Sequence, residues 1–146
     1  MHRARMDLLL DLGYSERAIL FLVDEVHLGS IDHPTVYCRH KGGCGDILDL
    51  YLDIEDGIIQ DAKYELTGCA GLQASASGLA EMIRGMRVED AAAIDVDDIV
   101  DFLGGIPTSK YDCAELARDT LRKALRTIPV ERDRLEHDAG AAPQER

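Results

Sequence analysis

A chain of 146 residues with 46% hydrophobic content has the length and apolar share of one domain built on a single core. Its formal net charge of −12, with a pI near 4.7, excludes a partner held through nucleic-acid phosphates, because such binding draws on clustered Lys and Arg. No stretch nears the roughly 18 apolar residues of a membrane span, and the apolar run from Met6 to Leu12 is too short for a signal peptide and carries Asp7 and Asp11. The expectation is a cytoplasmic protein with no nucleic-acid or membrane partner, whose four cysteines stay reduced and serve metal binding or chemistry rather than disulfides.

From Ser15 to Val26, the residues Ala18, Ile19, Leu22, Val23 and Val26 recur at helical spacing. With Ser15 placed to cap, this predicts an amphipathic helix that packs on the core and ends at Gly29. Thr35 to His40 holds β-branched and aromatic residues, and Lys41-Gly42-Gly43 supplies a turn. Leu48, Leu50, Leu52 and Ile54 then alternate with Asp49, Tyr51 and Asp53, a half-buried strand. After a turn at Glu55-Asp56-Gly57, Ile58, Ala62, Tyr64 and Leu66 alternate with Ile59, Asp61, Lys63 and Glu65, a strand antiparallel to the last. The result is a three-stranded meander in which the start of the middle strand and the end of the third share one edge.

Small residues from Ala70 to Gly78 lead into a predicted helix from about Leu72 to Arg84, stopped by Gly85. Val88 to Ile94 and Val96 to Leu103 read as two short helices, broken by Gly104-Gly105 and Pro107. The last helix is expected from Asp112 to Arg126, with Asp112 and Glu115 in a capping-box pattern. Residues 129–146 read as a flexible polar tail behind a domain of residues 1–128.

The stretch Gly42-Gly43-Cys44-Gly45-Asp46 sets a thiol and a carboxylate two residues apart among glycines. Cys69 and Cys113 each stand where one element gives way to another, at helix starts whose dipole favours a thiolate. Three thiols and a carboxylate at element ends suit zinc or iron if folding brings them together. No C-x-x-C spacing does so locally.

Several ordered motifs together resemble one family. Cys44-Gly45-Asp46, Asp56-Gly57-Ile58-Ile59-Gln60-Asp61-Ala62-Lys63-Tyr64, Gly68-Cys69 with Ala74-Ser75-Ala76-Ser77, and Cys113-Ala114-Glu115-Leu116-Ala117 are similar to NifU/IscU-type iron-sulfur cluster assembly scaffolds. Tyr14-Ser15-Glu16 and Gly29-Ser30-Ile31-Asp32 resemble that family's N-terminal region. The resemblance runs from about Tyr14 to Ile128 and implies an α+β fold, a three-stranded antiparallel sheet with helices packed on it. It also implies that Cys44, Cys69 and Cys113 are the cluster ligands with Asp46 beside them, and that zinc or iron occupies the cluster-free form. The cluster would be of 2Fe-2S type, with 4Fe-4S as the alternative. Sulfur would come from a cysteine desulfurase, and the product would pass to apo iron-sulfur acceptor proteins, with a homo-oligomer around the cluster as one arrangement. Two positions depart from the family. Asp112 stands where many members carry His, and Ile106-Pro107-Thr108-Ser109-Lys110 matches the Leu-Pro-Pro-Val-Lys chaperone motif only in part.

Asp46 and Asp112 are rivals for the fourth ligand position, and Asp46 is preferred because Asp112 has a use as a helix cap. Cys38, which a three-residue hairpin loop would set across from Asp46, is a further candidate ligand or sulfur relay, or simply a small core residue. His40 stands near the same turn, and Lys110 is either an exposed lysine before a helix, the preferred reading, or a cation that steadies an anionic cluster. The leading expectation is a carrier and not an enzyme. The alternatives are a zinc-dependent sulfurtransferase that accepts persulfide from a cysteine desulfurase, and a purely structural zinc domain.

Overall fold

The computed structural model describes residues 2–43 and 45–128, and the tail expected at 129–146 lies outside the described residues. At its centre is the expected meander: β1 (Val36–Lys41), β2 (Ile47–Glu55) and β3 (Ile58–Thr67) pair antiparallel in the order β1-β2-β3. Alternation along β2 buries Leu48, Leu50 and Leu52 on one face, since successive strand side chains point to opposite sides. The β2–β3 hairpin turns on Asp56 (φ 56°) and Gly57 (φ 77°), the left-handed pair that a two-residue loop needs.

Alternation in β3 differs from the expectation, because Ile59 rather than Ile58 is fully buried beside Ala62 and Tyr64. A bulge causes this. Asp53 pairs with Asp61 and Ile54 with Ile59, which leaves Gln60 as the extra residue, and one extra residue exchanges the faces on either side of it.

Helices cover the buried face of the sheet. α1 (His2–Leu12), for which the sequence yielded no helix, packs on α2 (Glu16–Val23). Ser15 caps α2 as expected, its Oγ accepting from the Ala18 N–H at 2.9 Å. α2 nevertheless stops at Val23 instead of running to Gly29. Glu25 (φ 50°) and His27 (φ 66°) take left-handed backbone, and the chain pairs with β3 instead: Gly29 N–H donates to Tyr64 O at 2.7 Å, and Tyr64 N–H to His27 O at 3.2 Å.

α3 (Ala70–Ile83) lies on β3 and packs against α2 and against two of the helices that follow it. Its small face permits close approach: a Cβ at Gly78 would fall 2.8 Å from Leu103 Cδ2 on α5 (Val96–Leu103). Between them, α4 (Val88–Ala92) is the first of the two short helices. A 3-10 turn at Thr108–Lys110 leads into α6 (Tyr111–Arg126), which packs on β1 and β2. Among the described residues no helix is long and apolar enough to cross a membrane.

Candidate metal centre

Ile47 pairs with Thr67, so the residue before β2 and those after β3 emerge side by side at one sheet edge. Asp46 immediately precedes β2, Cys69 is the N-cap of α3, and Cys113 lies in the first turn of α6. One ligand atom from each of Asp46, Cys69 and Cys113 lies within 4.8 Å of the others, and the two sulfurs are 3.4 Å apart. Both thiols are free. A disulfide would close the sulfurs to about 2.05 Å, whereas two thiolates on one tetrahedral zinc sit roughly 3.8 Å apart, given Zn–S bonds of about 2.3 Å. At 3.4 Å the sulfurs are unbonded and in hydrogen-bond contact, close enough for one ion to reach both. Cys44, the third expected thiol, lies outside the described residues.

Backbone geometry and missing side chains hold these groups in place. Gly42 N–H donates to Asp46 O at 2.7 Å and Gly45, at φ 91°, donates to Gly42 O at 3.1 Å, which folds the 42–46 loop back on itself. A Cβ at Gly68 would lie 3.2 Å from Asp46 Cγ and 2.9 Å from Leu72 Cδ2, so the carboxylate occupies space that only glycine leaves. Lys110 uses a second such space: a Cβ at Gly71 would fall 2.9 Å from Lys110 Cβ and 3.0 Å from its Cγ and Cδ. The lysine stem is therefore seated on the first turn of α3, next to Cys69.

Cys113 borders a cleft of about 280 Å³ that is lined on one side, from the strand ends and their loop, by His40, Lys41 and Asp46. Asp112, Glu115 and Asp119, which recur along one face of α6, line the other. Burial, then the contact with Cys69 and its charge, pushes the Cys113 thiol up to about 12, and Lys110 opposes this only weakly. In the metal-free protein burial and the neighbouring Cys69 and Asp112 thus raise the Cys113 thiol, against the expectation that its helix start favours the thiolate. A bound cation would reverse the balance. The Tyr14 hydroxyl is also pushed up to about 12, first by burial and then by the charges of Cys69 and Cys113. No pattern in the sequence marks Tyr14 as a neighbour of the site.

Two further expectations are corrected. Lys41 pairs with Ile47 and Cys38 with Leu50, so the hairpin loop spans residues 42–46 and Cys38 is not across from Asp46. Cys38 belongs to the apolar core, and burial raises its pKa. Asp112 does not cap α6. The 3-10 turn runs straight into the helix, so Lys110 takes the N-cap position without a side-chain bond and Asp112 falls inside the first turn, exposed on the cleft. The capping box forms at Asp95 and Asp98 of α5 instead. His40, at the cleft, has a buried Nδ1 without a hydrogen-bond partner among the described residues.

The family model for the NifU-like N-terminal domain matches residues 14–133. The chain is 32% identical over 119 residues to the iron-sulfur cluster assembly scaffold protein IscU 1 of Archaeoglobus fulgidus, covering 82% of this chain and 72% of that protein. It is 34% identical over 119 residues to the scaffold protein IscU of Haemophilus influenzae, covering 78% of this chain and 94% of that one. Its fold is similar to the crystal structure of the N-terminal part of a nitrogen-fixing NifU-like protein from Brucella abortus. That likeness has a TM-score of 0.66 at 20% identity, over 84% of this chain and 99% of that one.

Proposed function

The chain belongs to the family of NifU-like N-terminal domains, and on that premise we propose that it is an iron-sulfur cluster assembly scaffold, a carrier rather than an enzyme. Sulfur arrives as persulfide from a cysteine desulfurase and is reduced to sulfide with electrons from ferrous iron and from an external donor such as a dithiol or a reduced ferredoxin; the cluster formed is cargo that leaves for apo acceptor proteins. Cys69 and Cys113, together with Cys44, hold the iron, and Asp46 supplies an oxygen donor. Permanent iron-sulfur centres generally use four thiolates. Three thiolates and a carboxylate hold iron less firmly, which suits release. Asp112 is the competing oxygen donor, exposed on the same cleft. Lys110, seated on Gly71, balances part of the negative charge of a loaded site.

The observation that carries this reading is the meeting of Asp46, Cys69 and Cys113 within 4.8 Å at the edge of a cleft. Anaerobic incubation with ferrous iron, cysteine, a cysteine desulfurase and a dithiol reductant should build a visible-absorbing cluster on the chain. That cluster should then move to an apo-ferredoxin. Cluster formation that survives Cys69→Ser would refute the ligand assignment. Zinc-dependent stimulation of desulfurase turnover, with no cluster accumulating, would make the protein a sulfurtransferase. Unfolding on chelation would make the site structural.

A further inference from the structure

The far end of α3 carries a feature unrelated to the thiols. There the helix exit and α5 frame a groove of about 570 Å³. Its floor is formed by Met82, Met86 and Phe102, each half-buried against the core. Its rim carries Asp90, Asp98 and Asp101, all exposed, and no lining residue is basic. Cys69 caps the start of α3 and Met82 lies in its last turn, so at about 1.5 Å per residue the groove is roughly 20 Å from the thiols.

The chemistry of the groove selects its occupant. Methionine floors adapt to varied apolar side chains. Phe102 is fixed in position: the Arg17 guanidinium lies 4.3 Å from its ring centroid, and Phe21 meets it edge-on at 5.7 Å. Arg17 Nε also donates to Phe102 O at 2.6 Å. Asp98 accepts from the Asp95 N–H at 2.9 Å. The side chains of Asp90 and Asp101 have no hydrogen bond or ion pair among the described residues. Two carboxylates without a cationic partner thus rim an apolar floor in a chain already at −12, and a cationic ligand with an apolar anchor is complementary to both.

We propose that this groove docks a basic amphipathic segment of a partner protein. One apolar side chain enters between Met82, Met86 and Phe102, and flanking Lys or Arg residues pair with Asp90 and Asp101. The acidic rim disfavours nucleic acid and anionic lipid. A partner held here leaves the thiol cleft open, so a second protein can reach the thiols while the first stays docked. The inference goes beyond the scaffold reading and does not depend on it.

The test uses the full chain and a fluorescent helical peptide composed only of leucine and lysine in amphipathic order, followed by anisotropy. The double change Asp90→Lys and Asp101→Lys should weaken binding about tenfold or more, and Met86→Glu should do the same. The double change Asp32→Lys and Glu65→Lys alters net charge equally at exposed positions that do not line the groove, and should stay within about twofold. Amide hydrogen exchange on the unmutated protein gives a readout independent of variant folding. Peptide should protect residues 82–102 and leave residues 68–72 and 110–116 unchanged. Equal weakening by both charge reversals, equal binding of a leucine and glutamate peptide, or protection centred outside 82–102 would overturn the proposal.

Discussion

Asp46 and Asp49 stand three positions apart at the start of β2, yet they are held in opposite ways. Asp49 is 7% exposed, and its oxygens are occupied: Tyr37 Oη donates at 2.7 Å, and Arg39 donates through Nε at 2.8 Å and Nη2 at 3.1 Å. The Arg39 bond in particular keeps its carboxyl below the usual range. Asp46 has no side-chain hydrogen bond or ion pair among the described residues, and its place is set by the 42–46 loop and by the room at Gly68. A carboxylate with its acceptor sites filled is part of the sheet. One positioned by backbone and clearance, with free oxygens beside two thiols, is available to a metal.

This contrast can be broken at the metal site first. Cys113→Ser should lower zinc affinity by more than about a hundredfold, because a lost ligand costs more than a lost supporting contact. The chelator midpoint in a competition titration would show it, and urea denaturation of the metal-free form should barely change. Asp46→Ala should lower zinc affinity about tenfold in the same titration and shift metal-free stability by no more than about 0.5 kcal/mol. Gly68→Ala tests whether clearance positions Asp46. It should lower zinc affinity by up to about tenfold, and the double variant with Asp46→Ala should be no worse than Asp46→Ala alone. Additive losses would mean that Gly68 acts independently of the carboxylate.

Asp49→Asn gives the smallest effect and the opposite pattern. It should leave zinc affinity unchanged and cost about 1 kcal/mol of stability at neutral pH. A carboxyl whose folded pKa is depressed contributes stability above its unfolded pKa of about 3.9, and the contribution is lost as pH falls through the folded value. Urea melts of wild type and variant should therefore differ near neutrality and converge in strong acid. A difference that persists in acid would assign the cost to packing rather than charge.

The strands were legible in the sequence because a period of two shows wherever one face is buried, as at Leu48, Leu50 and Leu52. The phase error at Ile58 and Ile59 was not legible, since Gln60 looks like any polar strand residue until its partner strand shows it to be unpaired. α2 was overextended for a similar reason: helical spacing through Val26 is real, but pairing of residues 27–29 with Tyr64 ends the helix earlier. The Asp112 and Glu115 pattern was a sound local cap signal. It was overridden by a 3-10 turn that the sequence did not mark. The face formed by Asp112, Glu115 and Asp119 was readable from helical spacing once α6 was recognised.

By itself the sequence determined the three strands and their meander, the helices after them and the chemistry of the candidate ligands, because periodicity and residue type are local properties; α1 and the 3-10 turn before α6 escaped it. Tertiary structure alone decided that Asp46, Cys69 and Cys113 meet, that Cys38 belongs to the core, and that Asp49 is satisfied while Asp46 is not. The physical reason is register: the pairing of Ile47 with Thr67 and of Cys38 with Leu50 is fixed by the whole sheet and its helices. A shift of one residue would send each of these side chains to the other face.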